Sequence, residues 1–310
     1  MVLGRFVRHV GFGMMTLAPL LAMGVLALGV GASAPGHAQA PDPFTVRSVA
    51  VDQTAQTALQ AREAAISEGA RVALRRLLER LTPATEHRRL PTPGAARVAD
   101  MVQNYEIENE RSSAVRYLGL LTFRFKADEV RQLLREARIP FAETYARPLL
   151  VVPVLMTDLG VLVREPADPW RAAWARVPTA DALAPMVVAP GDTADQGLSD
   201  AEAAAAGNGE KVLELARKHG AAGAIIAVAT LGAAPSGWPV LEVALTRIEA
   251  AGEGPELLPE IFEGRAEETP EQLMTRAARS IASSIDEHWK AGQLIQFGRQ
   301  ARLIASVPVA

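Results

Sequence analysis

Apolar positions along this chain recur at two periods, alternation by twos and spacing by threes and fours, which separate strands from helices. Phe44, Val46, Val49 and Val51 mark a short strand, and Asp52-Gln53-Thr54 after it carry side-chain oxygens suited to capping a helix. From Thr54 to about Leu81 there is no proline, and Ile66, Ala70, Ala73, Leu77 and Leu81 form one apolar stripe. Arg62, Glu63, Arg71, Arg75, Arg76, Glu79 and Arg80 are expected to cover the rest of that helix. An alanine-rich stripe lets a helix approach a sheet closely, so the pattern predicts the packing face of an α/β layer and not a coiled coil.

The proline-rich stretch Pro83 to Gly94 reads as a loop, followed by a short helix over Ala95 to Gln103. Tyr105, Ile107, Asn109 and Arg111 then alternate with Glu106, Glu108 and Glu110, the period of a half-exposed strand. Ser112-Ser113 turns it into a second strand. There Val115, Tyr117, Gly119, Leu121, Phe123 and Phe125 line one face, and Arg116 and Arg124 point to the other, within reach of the glutamates. A helix over Asp128 to Arg138 ends before Pro140. The order strand, helix, strand, strand, helix over residues 41–146 predicts an α+β unit of split β-α-β type, closed if another strand joins its sheet.

A second unit is expected over 147–310, starting at the Arg147-Pro148 step. Leu149 to Leu155 is apolar on both faces, as in a central strand covered by helices on both sides. Predicted after it are a helix near Asp168 to Arg176 and a strand at Met186 to Val188. A helix over Gly209 to His219, stopped by Gly220, and a strand at Ala224 to Ala229 come next. An antiparallel pair at Val240 to Ile248 and Pro259 to Arg265 precedes a last helix from Pro270 to about Lys290. Strands alternating with helices make this unit an α/β layered domain, and the fold class of the whole chain α/β. Residues 303–310 read as a terminal strand, which either completes a sheet or ends a truncated product.

The first forty residues alter the picture of where such a protein works. Arg5 and Arg8, an apolar stretch from about Gly11 to Val30, and the small-residue exit Ala38-Gln39-Ala40 follow in the order of a secretory signal, with cleavage expected after Ala40. An uncleaved inner-membrane anchor is the alternative, weakened by Gly11, Gly13, Pro19, Gly24 and Gly29. Losing the two arginines takes the formal charge from -3 to -5, an acidic balance unsuited to nucleic acid. With no cysteine, disulfides, thiolate metal sites and a lipidated cysteine are excluded. The mature chain is therefore expected in the periplasm, touching the membrane at most peripherally. Its only lysines are Lys126, Lys211, Lys218 and Lys290, a scarcity attributed to base composition.

Few residues offer chemistry. His87, His219 and His288 are the histidines beyond residue 40, none at metal-ligand spacing from another, and they are read as surface or capping residues. Asp192, Asp195 and Asp200 follow the Met186 to Val188 strand, the right end of a strand for a ligand or calcium site; turn and cap duties are the plainer reading. Glu106, Glu108 and Glu110 read as a solvated strand face, with paired carboxylates as the alternative. Trp170 and Trp174 read as core, with an aromatic binding face as the alternative. His87-Arg88-Arg89 with Arg97 reads as an ordinary basic loop, or else as a contact for anionic lipid or an acidic partner. No hydrolase elbow, phosphate loop or dinucleotide fingerprint is present, and no cofactor is expected.

Several stretches together resemble the exported Gram-negative family catalogued as domain of unknown function 2066. They are Phe44 to Asp52, Ala61-Arg62-Glu63-Ala64-Ala65, Ala73 to Thr82, the Glu106 to Phe125 hairpin, Ile139-Pro140 and Arg147 to Val151. The resemblance covers most of the mature chain and carries no catalytic residues; family members continue past the point matching Val309, which favours truncation here. In element order the second unit is similar to the N-terminal domain of the Tol translocation protein TolB, and the whole layout to flagellar assembly protein T. These likenesses imply a non-catalytic adaptor or scaffold in the cell envelope with a protein partner. The alternative is a small-molecule- or metal-binding protein, or a hydrolase, using Asp192 and Asp195.

Overall fold

The computed structural model describes residues 42–157, 160–162, 168–179, 181–189, 209–235, 237–249, 252–253 and 257–295. The expected leader, with Ala38 and Ala40, and the expected terminal strand lie outside these residues.

The first sheet is built from β1 (Thr45–Thr54), β2 (Val102–Ser112) and β3 (Arg116–Phe125), in the order β1-β3-β2. Both outer strands run antiparallel to β3. They are therefore parallel to each other with β3 inserted, and the long helix α1 (Ala58–Leu81) joins them through a 3-10 turn at Ala84–Arg89 and a short helix, α2 (Ala95–Met101). Among the described residues no fourth strand joins. α3 (Ala127–Glu136) adds Val130, Leu133 and Leu134 to the core beneath the sheet.

Local chemistry sets these elements. In β1 the step from Val46 to Val49 is three residues, and a bulge absorbs the extra one with Ser48 at φ 53, so both valines stay on the buried face. α1 starts later than expected: β1 runs on through Thr54, and the cap is Thr57, whose hydroxyl accepts from the Gln60 N–H at 3.2 Å. The small residues Ala61, Ala65, Gly69, Ala70 and Ala73 lie against the sheet. At Gly69 the approach leaves no room for a side chain: a Cβ there would stand 2.9 Å from Val51 Cγ1 and 3.2 Å from the Phe123 ring. Two side-chain expectations fail in this unit. Val115 lies in the turn and is exposed, and Arg116 pairs with Asp52 on β1 instead of with the glutamates of β2. Arg124 likewise turns to Thr45 and Asp42. The bulge between Glu108 and Arg111, with Asn109 at φ 53, puts Arg111 and not Glu110 opposite Leu118 on the row that Arg116 occupies, and Glu110 lies near Arg62 of α1.

The second sheet runs β10 (Leu257–Glu263), β8 (Pro239–Glu249), β7 (Gly223–Ala233), β4 (Leu149–Thr157), β5 (Gly160–Leu162), with β6 (Met186–Val188) also on β4 and β9 (Gly252–Glu253) on β8. β4 is parallel to β7 and β6 and buried on both faces. Leu149, Val151 and Leu155 face α4 (Pro169–Ala175) and α6 (Pro270–Gln293), while Leu150, Val152 and Val154 face α5 (Gly209–Lys218). Pro153 is tolerated in this central strand because β6 pairs with Leu149 to Val151 and β5 with Leu155 to Thr157, leaving its missing N–H between the two ladders. α5 ends at Gly220, whose φ of 72 closes the turn into β7. The arrangement is α/β: antiparallel layers and a mixed sheet with helices on both faces.

Candidate functional site

By contacts the residues from Pro41 onward form one unit, and the two sheets meet where α1 ends. Arg80 was expected on the solvent face of α1, yet it is 6% exposed because the second sheet's unit packs over that end of the helix. Its guanidinium donates to Pro43 O at 2.9 Å and Thr45 O at 2.7 Å, and binds Asp181 at 2.8 Å. From the other side Lys290 of α6, 3% exposed, reaches the Glu79 and Thr82 carbonyls at 3.3 Å each. The same ammonium pairs with Asp286 at 2.9 Å and Glu287 at 3.0 Å. Asp286 in turn accepts from the Ala184 N–H at 2.9 Å. A cation on the carbonyl end of a helix opposes the negative pole of its dipole, so Lys290 caps α1 from a distant part of the chain. Backbone bonds from Ala142 N to Leu81 O and from Ala146 N to Leu183 O, and the Trp289 indole N–H to Thr144 O, add to this junction.

Beside the junction lies a cavity of about 520 Å³. It opens at the first residues of β4 and β7, Leu149 and Gly223, and at the end of β8, where Arg247 pairs with Glu249. Arg147, Tyr145, His288 and Trp289 give it polar and aromatic wall, and Ile285 apolar wall. Burial raises the Tyr145 phenol above its ordinary 10.0, with Arg80 pulling the other way, so the hydroxyl stays protonated. Ligand crevices in open α/β sheets form outside the carboxyl ends of the parallel strands, and this cavity is at the opposite end.

The first sheet offers a different surface. β2 is one of its two edge strands, β1 being the other, and Glu106 and Glu108 stand exposed on β2 with no ion pair among the described residues, while Glu110 lies 3.6 Å from Arg62. Such an edge presents backbone donors and acceptors on its outer side, among the described residues unpaired.

The other residues singled out from sequence separate cleanly. Trp170 and Trp174 are 0% and 1% exposed, edge to face with centroids 5.7 Å apart, and the Trp170 indole donates to Ala227 O at 2.9 Å; an aromatic binding face is overturned by their burial under α6. His87 is half-buried, its Nε2 within 3.2 Å of Glu79 O and 3.3 Å of Thr82 O at the end of α1. His219 sits at the turn into β7 and His288 at the cavity rim. In the basic loop Arg89 pairs with Glu86 and Arg97 with Glu136, leaving Arg88 exposed. Asp192, Asp195 and Asp200 lie outside the described residues. Among the described residues no cluster of three metal-binding side chains occurs, and no helix is long and apolar enough to cross a membrane.

No family model and no curated protein matches the chain. Among solved structures, a formyltetrahydrofolate deformylase from Pseudomonas putida is similar at 16% identity over 78% of this chain and 93% of its own, with a TM-score of 0.20. A superposition that poor carries no argument about fold or function.

The junction residues went unread in the sequence, and one signal pointed to them. Met274, Ala278 and Ala282 step by four along α6, and the next two steps are Asp286 and Lys290, both buried. A polar pair continuing an apolar stripe marks a place where the helix leaves one core and meets another surface.

Proposed function

We propose that this chain is an exported protein of the bacterial envelope, freed of its leader after Ala40, whose body serves as a non-catalytic adaptor. The resemblance to domain of unknown function 2066 and the order basic head, apolar run, small-residue exit support the compartment. The observation that carries the adaptor reading is the eleven-residue edge strand β2, acidic and open, on a sheet braced by the Arg80 and Lys290 junction. An added strand from a partner would draw affinity from main-chain bonds to β2 and register from basic side chains opposite Glu106 and Glu108.

Affinity capture from the periplasm of the native host tests this. A discrete partner is expected with the wild-type chain and is lost with Glu106→Lys/Glu108→Lys, while thermal stability holds, since both side chains are exposed. Equal capture by both chains, or a native product that begins at Met1 in the cytosol, refutes the reading.

A further inference from the structure

The junction cavity has charge and hydrogen-bonding capacity that the protein itself leaves unused. Arg147 lines it, is exposed, and makes no hydrogen bond or ion pair among the described residues. Arg247 spends one end of its guanidinium on Glu249, but its Nε–H is buried with no acceptor among the described residues. The balance of Arg147, Arg247 and Glu249 is one positive charge, which suits a monoanion; a dianion would leave excess negative charge beside Glu249. Leu149, Ala222, Ile285 and the Trp289 ring supply apolar wall, and a volume of about 520 Å³ falls within the range of small-molecule sites.

We propose that this cavity binds an organic monocarboxylate with an apolar body of about six to ten carbons, its carboxylate on the Arg147 and Arg247 guanidiniums and its body against Leu149, Ile285 and Trp289. Guanidinium groups bind carboxylates through paired N–H donors, and an indole face accepts alkyl or aryl groups without specificity for either. The site is independent of the β2 edge and of any protein partner there.

Calorimetric titration of the purified protein with octanoate tests it, with acetate, octylamine and inorganic phosphate as comparison probes. Octanoate is expected to bind saturably with a dissociation constant on the order of 0.1–1 mM, and the three comparison probes at least about tenfold more weakly. Arg147→Gln should weaken octanoate about tenfold and Arg147→Lys less, since lysine keeps the charge and loses the planar fork. Ala222→Phe, at an exposed wall position, should fill the cavity and abolish binding with the melting temperature unchanged. The proposal is overturned by octylamine or phosphate binding as tightly as octanoate, by an unchanged Arg147→Gln, by binding that survives Ala222→Phe, or by no saturable heat with octanoate.

Discussion

Replacing Lys290 with methionine asks how much the charged junction contributes to the fold. Methionine nearly fills the lysine volume, so the cavity cost is small and the electrostatic change dominates. The substitution takes the cation from a buried carboxylate, Asp286, and from the Glu79 and Thr82 carbonyls at the end of α1. Breaking a buried pair by removing one partner costs roughly 3–5 kcal/mol; here Ala184 N–H still supports Asp286, which places the expectation at about 3 kcal/mol. For a body of this size that is about 6–12 °C in melting temperature. The companion variant Asp286→Asn keeps an acceptor for Ala184 N–H and removes the charge that Lys290 neutralises. Urea unfolding of both single variants and the double variant gives the coupling energy, expected to reach about 1.5 kcal/mol, with the double variant less destabilised than the sum of the singles. A Lys290→Met loss under about 1 kcal/mol, or single effects that add within about 0.5 kcal/mol, would refute the reasoning and make the junction a contact of little consequence.

Two further outcomes follow from single positions. Gly69→Ala should destabilise by roughly 1–3 kcal/mol in thermal or urea unfolding, because its Cβ meets Val51 and the Phe123 ring between α1 and the first sheet. Asp168 caps α4, accepting from the Trp170 and Arg171 N–H groups, but burial raises its pKa above 3.8 against the pull of those bonds and of the Arg171 charge. The folded state then keeps the proton where the unfolded chain has lost it. Stability therefore falls as pH rises from 3.8 through the raised value, and stays lower above it. Asp168→Asn removes that titration, so the stability of the variant relative to wild type should be greater at pH 7 than at pH 3, read from urea midpoints; the reverse order would contradict the burial argument.

The legible parts of the fold were those where one residue's surroundings depend on its near neighbours. The hairpin of β2 and β3, the doubly buried β4, the Gly220 stop and the Pro270 start each follow from alternation, composition or backbone conformation within about ten residues. Even the bulge in β1 is visible as a three-residue step in an alternating run. Helix boundaries were less legible: Asp52-Gln53-Thr54 and Thr57 are all competent caps, and only the pairing of β1 with β3, which extends to Thr54 opposite Arg116, decides among them.

The junction was illegible for a different reason. A buried arginine or lysine is intelligible only through its acceptors, and apart from Asp286 and Glu287 beside Lys290 those of Arg80 and Lys290 are main-chain carbonyls and a carboxylate from 35 to 211 positions away. No local period encodes that distance, so the helical face of Arg80 reads as solvent, and Lys290 shows only as a polar step continuing the apolar stripe of α6. Burying these cations is costly, and the cost is offset by acceptors from both halves of the junction, although the Arg80 Nε–H is buried with no acceptor among the described residues. This ties the cavity to the junction: Tyr145 and Arg147 flank the Ala146 N–H bond to Leu183 O and the Thr144 carbonyl that accepts from the Trp289 indole, one residue from Lys290. A change that loosens Lys290 should therefore blur the cavity wall before it unfolds either core. Octanoate affinity should fall in Lys290→Met although Lys290 does not line the cavity, and an unchanged affinity would refute the coupling.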